Sequence, residues 1–268
     1  DGAMGTEIYR RGVFINRCYD ELNLGRPDLV GAIHADYVAA GADIITTNTY
    51  GAERLRLAQH GLEGQLAAIN QAGVRLAREA AGPGRFVAGS IGPLPLNLRP
   101  SGPISSTQAR EVYSEQAALL IDAGVDLLVL ETFRQLSMLR EAVEAARAID
   151  PSIPIVASFA FKPQRHYFVG PSPEDVAREV STWGIDVLGT NCVNGPQMTL
   201  EIVERLGSIS QIPLSAMPNA GTPELVDGRT LYLASPEYMA EYARRFVQNG
   251  VQVVGGCCGT TPEMIREM

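Results

Sequence analysis

Basic runs, long apolar stretches and cysteine are what this chain has least of, and each shortage closes off a class of function. No long run of Lys or Arg occurs, and 22 basic residues against 30 acidic ones give a formal net charge of −8. That balance argues against nucleic acid as a partner and is the ordinary charge of a soluble surface. No apolar stretch approaches the ~18–20 residues that span a bilayer, and no signal peptide is visible, so no membrane association is expected. Four cysteines stand in 268 residues, at positions 18, 192, 257 and 258. They are too few and too unevenly spaced for a disulfide framework. A reducing, cytoplasmic compartment is expected, with the thiols free or on a metal.

What the chain does have is apolar material, 46% of its residues, with 19% charged. At this length that makes two ordinary domains or one large α/β domain. The sequence opens on Asp1-Gly2 without an initiator methionine and stops inside an expected helix. Residues 1–268 are therefore expected to be one module cut from a longer protein.

Short β-branched runs alternate with amphipathic stretches throughout. Strands are predicted at Ala42–Tyr50, Phe86–Gly92, Val125–Phe133, Ile153–Phe161, Ile185–Cys192, Ile212–Asn219 and Val251–Cys258. Helices are predicted between them, at Arg26–Ala40, Glu63–Ala80, Thr107–Ala123, Leu136–Ala148, Pro173–Thr182, Met198–Leu206 and Pro236–Asn249. Ser172-Pro173-Glu174, Ser235-Pro236-Glu237 and Thr261-Pro262-Glu263 each supply an N-cap, a proline at the first helical position and an early acid.

A faint repeat joins Gly41-Ala42-Asp43-Ile44, Gly124-Val125-Asp126-Leu127, Gly184-Ile185-Asp186-Val187 and Gly250-Val251-Gln252-Val253. Each is a glycine ending a helix just before a buried strand, and each falls on every second strand. That periodicity suits an α/β (β/α)8 TIM barrel, whose interior layers come from alternate strands. Seven strands are visible, so the first is expected at or before the N-terminus, with Asp1–Gly5 as the loop that follows it. An open doubly wound sheet is the alternative, weakened by the lack of a GxGxxG after an early strand. Pro93–Pro103 is the longest loop-like stretch.

In such a barrel the chemistry gathers at the C-terminal strand ends. In order these offer Asp1-Gly2, Thr47-Asn48-Thr49, Ser90, Glu131-Thr132, Ser158, Asn191-Cys192, Asn219 and Cys257-Cys258. Cys192 closes the sixth strand and Cys257-Cys258 the eighth, close enough for three sulfurs to meet on one rim. Adjacent strand residues face opposite ways, so both thiols serve one site only if the backbone turns there, and Gly255, Gly256 and Gly259 make a turn cheap. Three thiolates suit Zn2+ and leave its fourth tetrahedral position open, the mark of a catalytic site. His34, His60 and His166 fall in helix or loop contexts. The competing reading makes Cys257-Cys258 small buried residues or a vicinal disulfide, and Cys192 an ordinary core thiol. Cys18 lies apart and is expected to be a bystander.

Glu131 ends a buried strand, where a carboxylate is costly without a cation or donors. Asp1 stands on the same rim. The two could form an acid/base pair, clamp a ligand ammonium or tie loops together; without a histidine base the clamp is preferred. Thr47, Asn48, Ser90 and the Gly2-Ala3 backbone could donate to a carboxylate. Together these residues describe a ligand with amino and carboxylate groups and a thiol end, which zinc would deprotonate near neutral pH.

The stretches Asp1-Gly2-Ala3-Met4-Gly5-Thr6, Thr47-Asn48-Thr49-Tyr50, Leu130-Glu131-Thr132, Gly189-Thr190-Asn191-Cys192 and Gly255-Gly256-Cys257-Cys258-Gly259-Thr260 resemble the homocysteine S-methyltransferase family. The resemblance runs through the whole chain in order, and its Asn-Cys and Gly-Gly-Cys-Cys-Gly motifs are the most specific. It implies a zinc-dependent barrel that methylates homocysteine to methionine, with Cys192, Cys257 and Cys258 as metal ligands. It also implies that Asp1 and Glu131 hold the homocysteine amino group. Gly2, Thr47, Asn48, Ser90 and Asn191 complete the expected substrate contacts, and Asn219, in Pro218-Asn219-Ala220-Gly221, is a candidate for the fourth zinc position at rest. No general base is needed.

The family's donors include betaine, S-methylmethionine, S-adenosylmethionine and methylcobalamin. Arg17–Asn23 and Thr49-Tyr50-Gly51-Ala52 look most like the multi-domain kinds, methionine synthases and reductase-fused methyltransferases. A methylcobalamin donor would be presented by another domain. Two other readings stand beside this one: a non-catalytic zinc or thiol-sensing barrel, and a phosphate-binding barrel lyase with Gly255–Thr261 as its anion nest. The lyase would want a lysine at a strand end, and none is there.

Overall fold

The computed structural model describes residues 1–14, 16–164, 167–226 and 229–268. His166 lies outside the described residues. The strands in chain order are β1 (Ile44–Thr46), β2 (Phe86–Ile91), β3 (Leu127–Phe133), β4 (Ile155–Phe159), a small hairpin of β5 (Pro163–Gln164) and β6 (Tyr167–Phe168), then β7 (Val187–Asn191) and β8 (Leu214–Met217), a second hairpin of β9 (Glu224–Val226) and β10 (Arg229–Leu231), and finally β11 (Val251–Val254). Seven of them form one parallel sheet in the order β1-β2-β3-β4-β7-β8-β11, with a helix crossing between successive members. This is the α/β barrel that the alternation predicts.

The apolar runs of these strands follow from burial on both faces. Ala88, Val129 and Val156 meet inside the curled sheet, with Ile44, Leu127 and Val187 against them. Ile45, Val87, Leu128, Ile155, Leu188 and Leu214 face outward into the large core shared with the helices. The helix starts behave as their sequences imply: Ser172, Ser235 and Thr261 each accept from the backbone N–H three residues on, beside a proline in the first turn. Gly41, Gly124 and Gly250 take positive φ, 104°, 92° and 80°, directly after the helix C-cap residues Ala40, Ala123 and Asn249, as left-handed helix ends; Gly184, φ 70°, stands three residues beyond its helix's C-cap Ser181.

The edges β1 and β11 are not paired with each other among the described residues. Asp1 bridges the gap at its C-terminal end: its backbone N donates to the Ile44 carbonyl at 3.2 Å, and its carbonyl accepts from the Gly256 N–H at 3.0 Å. Residue 1 thus sits where the end of an eighth strand belongs.

Three expectations need correction. Every strand of the sheet except β2 is at least two residues shorter than its apolar run, trimmed at its start, its end or both; of Ala42–Tyr50 only Ile44–Thr46 pairs. Met4 and Gly5 are not loop but open the helix Met4–Arg10, which is capped at its far end by contacts to the Glu7 and Tyr9 carbonyls. Short helices at Leu22–Gly25 and Arg54–Ala58 were not foreseen. Pro93–Pro103 does lie in a long stretch without helix or strand, between Ile91 and Ser106, while the connection from Met217 to Pro236 carries the β9–β10 hairpin. No described helix is long and apolar enough to cross a membrane.

Candidate active site

Three connections at the C-terminal ends of the strands are laced together by backbone hydrogen bonds. The Asn219 N–H donates to the Val193 carbonyl at 3.3 Å, Cys257 N–H to Pro218 at 2.8 Å, and Ala220 N–H to Cys258 at 2.9 Å. Cys192, which follows β7, is thereby brought against Cys257 and Cys258, which follow β11. The three sulfurs lie within 4.8 Å of one another, and all are free thiols. A vicinal disulfide is therefore not present.

The turn that points both adjacent cysteines at one site is closed by Thr260 N–H donating to the Cys257 carbonyl at 3.0 Å. Its glycines have different tasks. Only Gly259 needs left-handed freedom, at φ 82°. Gly255 and Gly256 are there for close approach: a Cβ on Gly255 would stand 2.9 Å from the Asp1 carbonyl, and one on Gly256 would collide with the Thr260 side chain.

On the facing wall β3 does something similar. Its register with β4 slips between Leu130 and Phe133, and Thr132 takes φ 65°. A bulge of this kind breaks the strict alternation of side chains. It brings both Glu131 and Thr132 onto the wall of one cavity of about 320 Å³, together with Asp1, Ser90, Cys192, Cys257 and Cys258. A β-branched residue in this region costs on the order of 1–3 kcal/mol. Cys192, at φ 56°, is the other non-glycine residue held there among those described.

The carboxylates are already partly satisfied. Asp1 accepts from the Thr46 N–H at 2.7 Å and the Thr46 hydroxyl at 3.0 Å, while Glu131 accepts from the Ser90 hydroxyl at 2.5 Å. Burial raises the pKa of Glu131, the Ser90 bond opposes that, and the nearby Cys258 adds to it. Such a carboxylate gains from an incoming ammonium.

Within the sulfur cluster the charge is unequally shared. Hydrogen bonds from Cys192 and Cys257, and a further one from the Tyr232 hydroxyl, hold the Cys258 thiol far below its ordinary range. Cys257 is pushed well up, first by its own bond to Cys192. Cys192 is lowered by the bond from Cys257 but raised more by donating to Cys258 and by burial. Soft sulfur donors in this number suit zinc. Tetrahedral zinc with ~2.3 Å bonds wants sulfurs about 3.8 Å apart, which this cluster accommodates. The Asn219 Oδ1 atom is buried without a hydrogen-bond partner among the described residues.

Other expected contacts fall out differently. Thr47, Asn48 and Gly2 line the cavity, yet Asn48 spends both amide hydrogens on the Tyr19 carbonyl and Asn23 Oδ1. The Thr47 hydroxyl is shared with Thr49 and the Ser90 N–H. The Ala3 N–H is taken by the Tyr37 hydroxyl and the Thr260 carbonyl. These groups brace the wall rather than offering spare donors. Asn191, Asn219 and Ser158 are buried and are not among the residues of that wall. His34 is buried within Pro27–Ala39, and Cys18 packs in a separate small cluster with Ala52, Leu57, Leu66 and Ile69.

Two residues escaped the sequence reading. Tyr50 lines the cavity, its hydroxyl bonded to Thr132 and its pKa raised by burial and by Glu131; its strand-end position was the available signal. Tyr232, on the long Met217–Pro236 connection, carries no periodic signal at all.

The homocysteine S-methyltransferase family profile matches residues 1–268. Methionine synthase of Mycobacterium tuberculosis (strain ATCC 25618 / H37Rv) is 33% identical over 285 aligned residues, which cover 100% of this chain and 24% of that protein. Methionine synthase of Mycobacterium leprae (strain TN) is 32% identical over the same shares. The chain thus spans about a quarter of the length of these relatives. Among solved structures, the metallated form of the homocysteine methyltransferase MmuM from Escherichia coli superposes with a TM-score of 0.81 at 27% identity, covering 100% of this chain and 93% of that one. A match over the whole length, with relatives above the usual threshold of common descent and a superposable barrel, fixes the descent of this protein: it belongs to the homocysteine S-methyltransferase family.

Proposed function

We propose that this chain binds homocysteine, holds zinc on Cys192, Cys257 and Cys258, and joins a donated methyl group to the homocysteine sulfur to give methionine. The observation that carries this reading is the placing of three sulfurs, within 4.8 Å of one another, across one cavity from two carboxylates, Asp1 and Glu131. The metallated state of the MmuM neighbour supports the metal. Zinc, when bound, supplies the Lewis acidity that lets a thiol lose its proton near neutral pH and react as thiolate.

The residues of the chain do the rest. Asp1 and Glu131 hold the amino group, with Ser90 fixing the Glu131 carboxylate. Cys192, Cys257 and Cys258 would hold the metal and leave room for the substrate sulfur, and the Asn219 amide oxygen, buried without a partner among the described residues, would be the candidate ligand when substrate is absent. The bond formed is sulfur to methyl carbon, and the one broken ties that carbon to its donor. The donor is proposed to be methylcobalamin carried by another unit of a longer protein. Likeness to methionine synthases of which this chain spans 24% supports that choice.

Zinc-edge absorption spectroscopy tests the site: zinc should show three sulfur neighbours without homocysteine and four with it. An unchanged count would refute substrate ligation. Turnover with methylcobalamin, S-methylmethionine, S-adenosylmethionine and betaine, compared side by side, then tests the donor.

A further inference from the structure

The sequence groups Asn191 with the substrate contacts, but its amide is fully engaged elsewhere. It is 1% exposed and absent from the described cavity wall. Its Oδ1 accepts from the Thr132 N–H at 2.8 Å, and its Nδ2 donates to the Thr132 hydroxyl at 2.8 Å. The same Nδ2 lies 3.4 Å from Glu131 Oε2 and 3.8 Å from the Cys257 sulfur.

We propose that Asn191 is a positioning residue: it locks Thr132 in its left-handed conformation and so aims Glu131 into the cavity. The inference rests on the reading of Glu131 as a holder of the homocysteine amino group. The slip between β3 and β4 takes residues 131 and 132 out of the regular ladder, so the Thr132 N–H has lost its ordinary partner. A side chain that replaces it must accept from that N–H. It must also donate, because a carboxylate and a sulfur stand on its other side. The Asn191 amide does both from separate atoms, accepting at Oδ1 and donating at Nδ2, whereas an aspartate at 191 would set one carboxylate against another.

A double-mutant cycle on the zinc-loaded full chain tests this, using Asn191→Ala, Thr132→Gly and the pair. Asn191→Ala should weaken homocysteine binding about tenfold by calorimetry, the cost of a buried donor left unpaired, with zinc stoichiometry unchanged. In the Thr132→Gly background the same change should cost no more than about threefold, since glycine takes positive φ unaided. Asn191→Asp should bind more weakly than Asn191→Ala. Equal losses in both backgrounds, no loss in Asn191→Ala, or an aspartate variant as good as alanine would each overturn the proposal. Should the parent chain bind no homocysteine, the substrate reading fails, and the cycle read by urea midpoint still decides the Asn191–Thr132 lock. Coupling between the two sites supports it, and additivity overturns it.

Discussion

Ser90 Oγ donates to Glu131 Oε1 at 2.5 Å, a bond that spans from β2 to β3 and favours the ionised form of that carboxylate. Burial raises the Glu131 pKa, and the Ser90 bond is what opposes that rise. A carboxylate must be ionised to hold an ammonium. Homocysteine affinity should therefore fall as pH drops through a pKa above the ordinary value of about 4.3. Ser90→Ala removes a hydrogen bond to a charged group, worth roughly 1.5–3 kcal/mol, and shifts that fall to still higher pH. Calorimetry should show about a tenfold loss of affinity, larger at pH 5.5 than at pH 8, with zinc retained. A loss of the same size at both pH values would reject the electrostatic role.

Cys258 should be the first thiol to react in metal-free protein. Its neighbours Cys192 and Cys257 donate to its sulfur, joined by Tyr232, and hold it as thiolate well below the usual thiol range near 8.5. Alkylation at pH 6 followed by peptide mass spectrometry should label Cys258 before Cys257, whose thiol is pushed up. Tyr232→Phe removes one donor, so Cys258 should still be labelled at pH 6, and the pH below which labelling falls away should move upward. Zinc should protect all three cysteines together, and labelling of Cys258 alone in zinc-loaded protein would argue against its being a ligand.

Much of this site was legible because parallel strands buried on both faces read as apolar runs, so a polar residue at the end of one is conspicuous. Cys192 and Cys257-Cys258 stood out for that reason, and so did Glu131. What was not legible depends on backbone that breaks the pattern. Alternation along β3 puts Glu131 and Thr132 on opposite faces, and nothing in Leu130-Glu131-Thr132-Phe133 announces the slip that brings both to one wall. Asn191 looked like a rim residue because strand ends usually are, whereas its neighbour Cys192, at φ 56°, leads the chain to the rim in its place. Tyr232 reaches Cys258 from a connection whose length no local periodicity specifies.

Gly259 joins two constraints that one substitution would break together. Its φ is 82°, and a Cβ there would collide with the Tyr232 ring at the ring carbon nearest the Tyr232 backbone, where side-chain rotation gives no relief. Gly259→Ala should therefore cost about 2 kcal/mol or more in urea unfolding. Since the turn aims Cys257 and Cys258, it should also weaken zinc in competition with a chelator by at least about tenfold. Gly61 has positive φ of 69° but open space around its Cβ position, so Gly61→Ala should show the stability cost alone, and a smaller one.

His34 gives a pH dependence that is independent of the metal. It is 0% exposed, neither ring nitrogen has a hydrogen-bond partner, and burial pushes its pKa down to about 4 from 6.5. The unfolded chain takes up a proton near 6.5, whereas the folded protein does not until about 4. In that window acid favours unfolding, and stability rises with pH. Between pH 7.5 and pH 5 this one residue should remove about 2 kcal/mol. His34→Leu abolishes the proton uptake and fills the site with apolar atoms that need no partner. Urea unfolding of both proteins at the two pH values isolates the effect from every other titrating group. The difference in unfolding free energy should move by about 2 kcal/mol in favour of the variant at pH 5, and a difference that stays constant would mean that His34 is protonated in the folded protein.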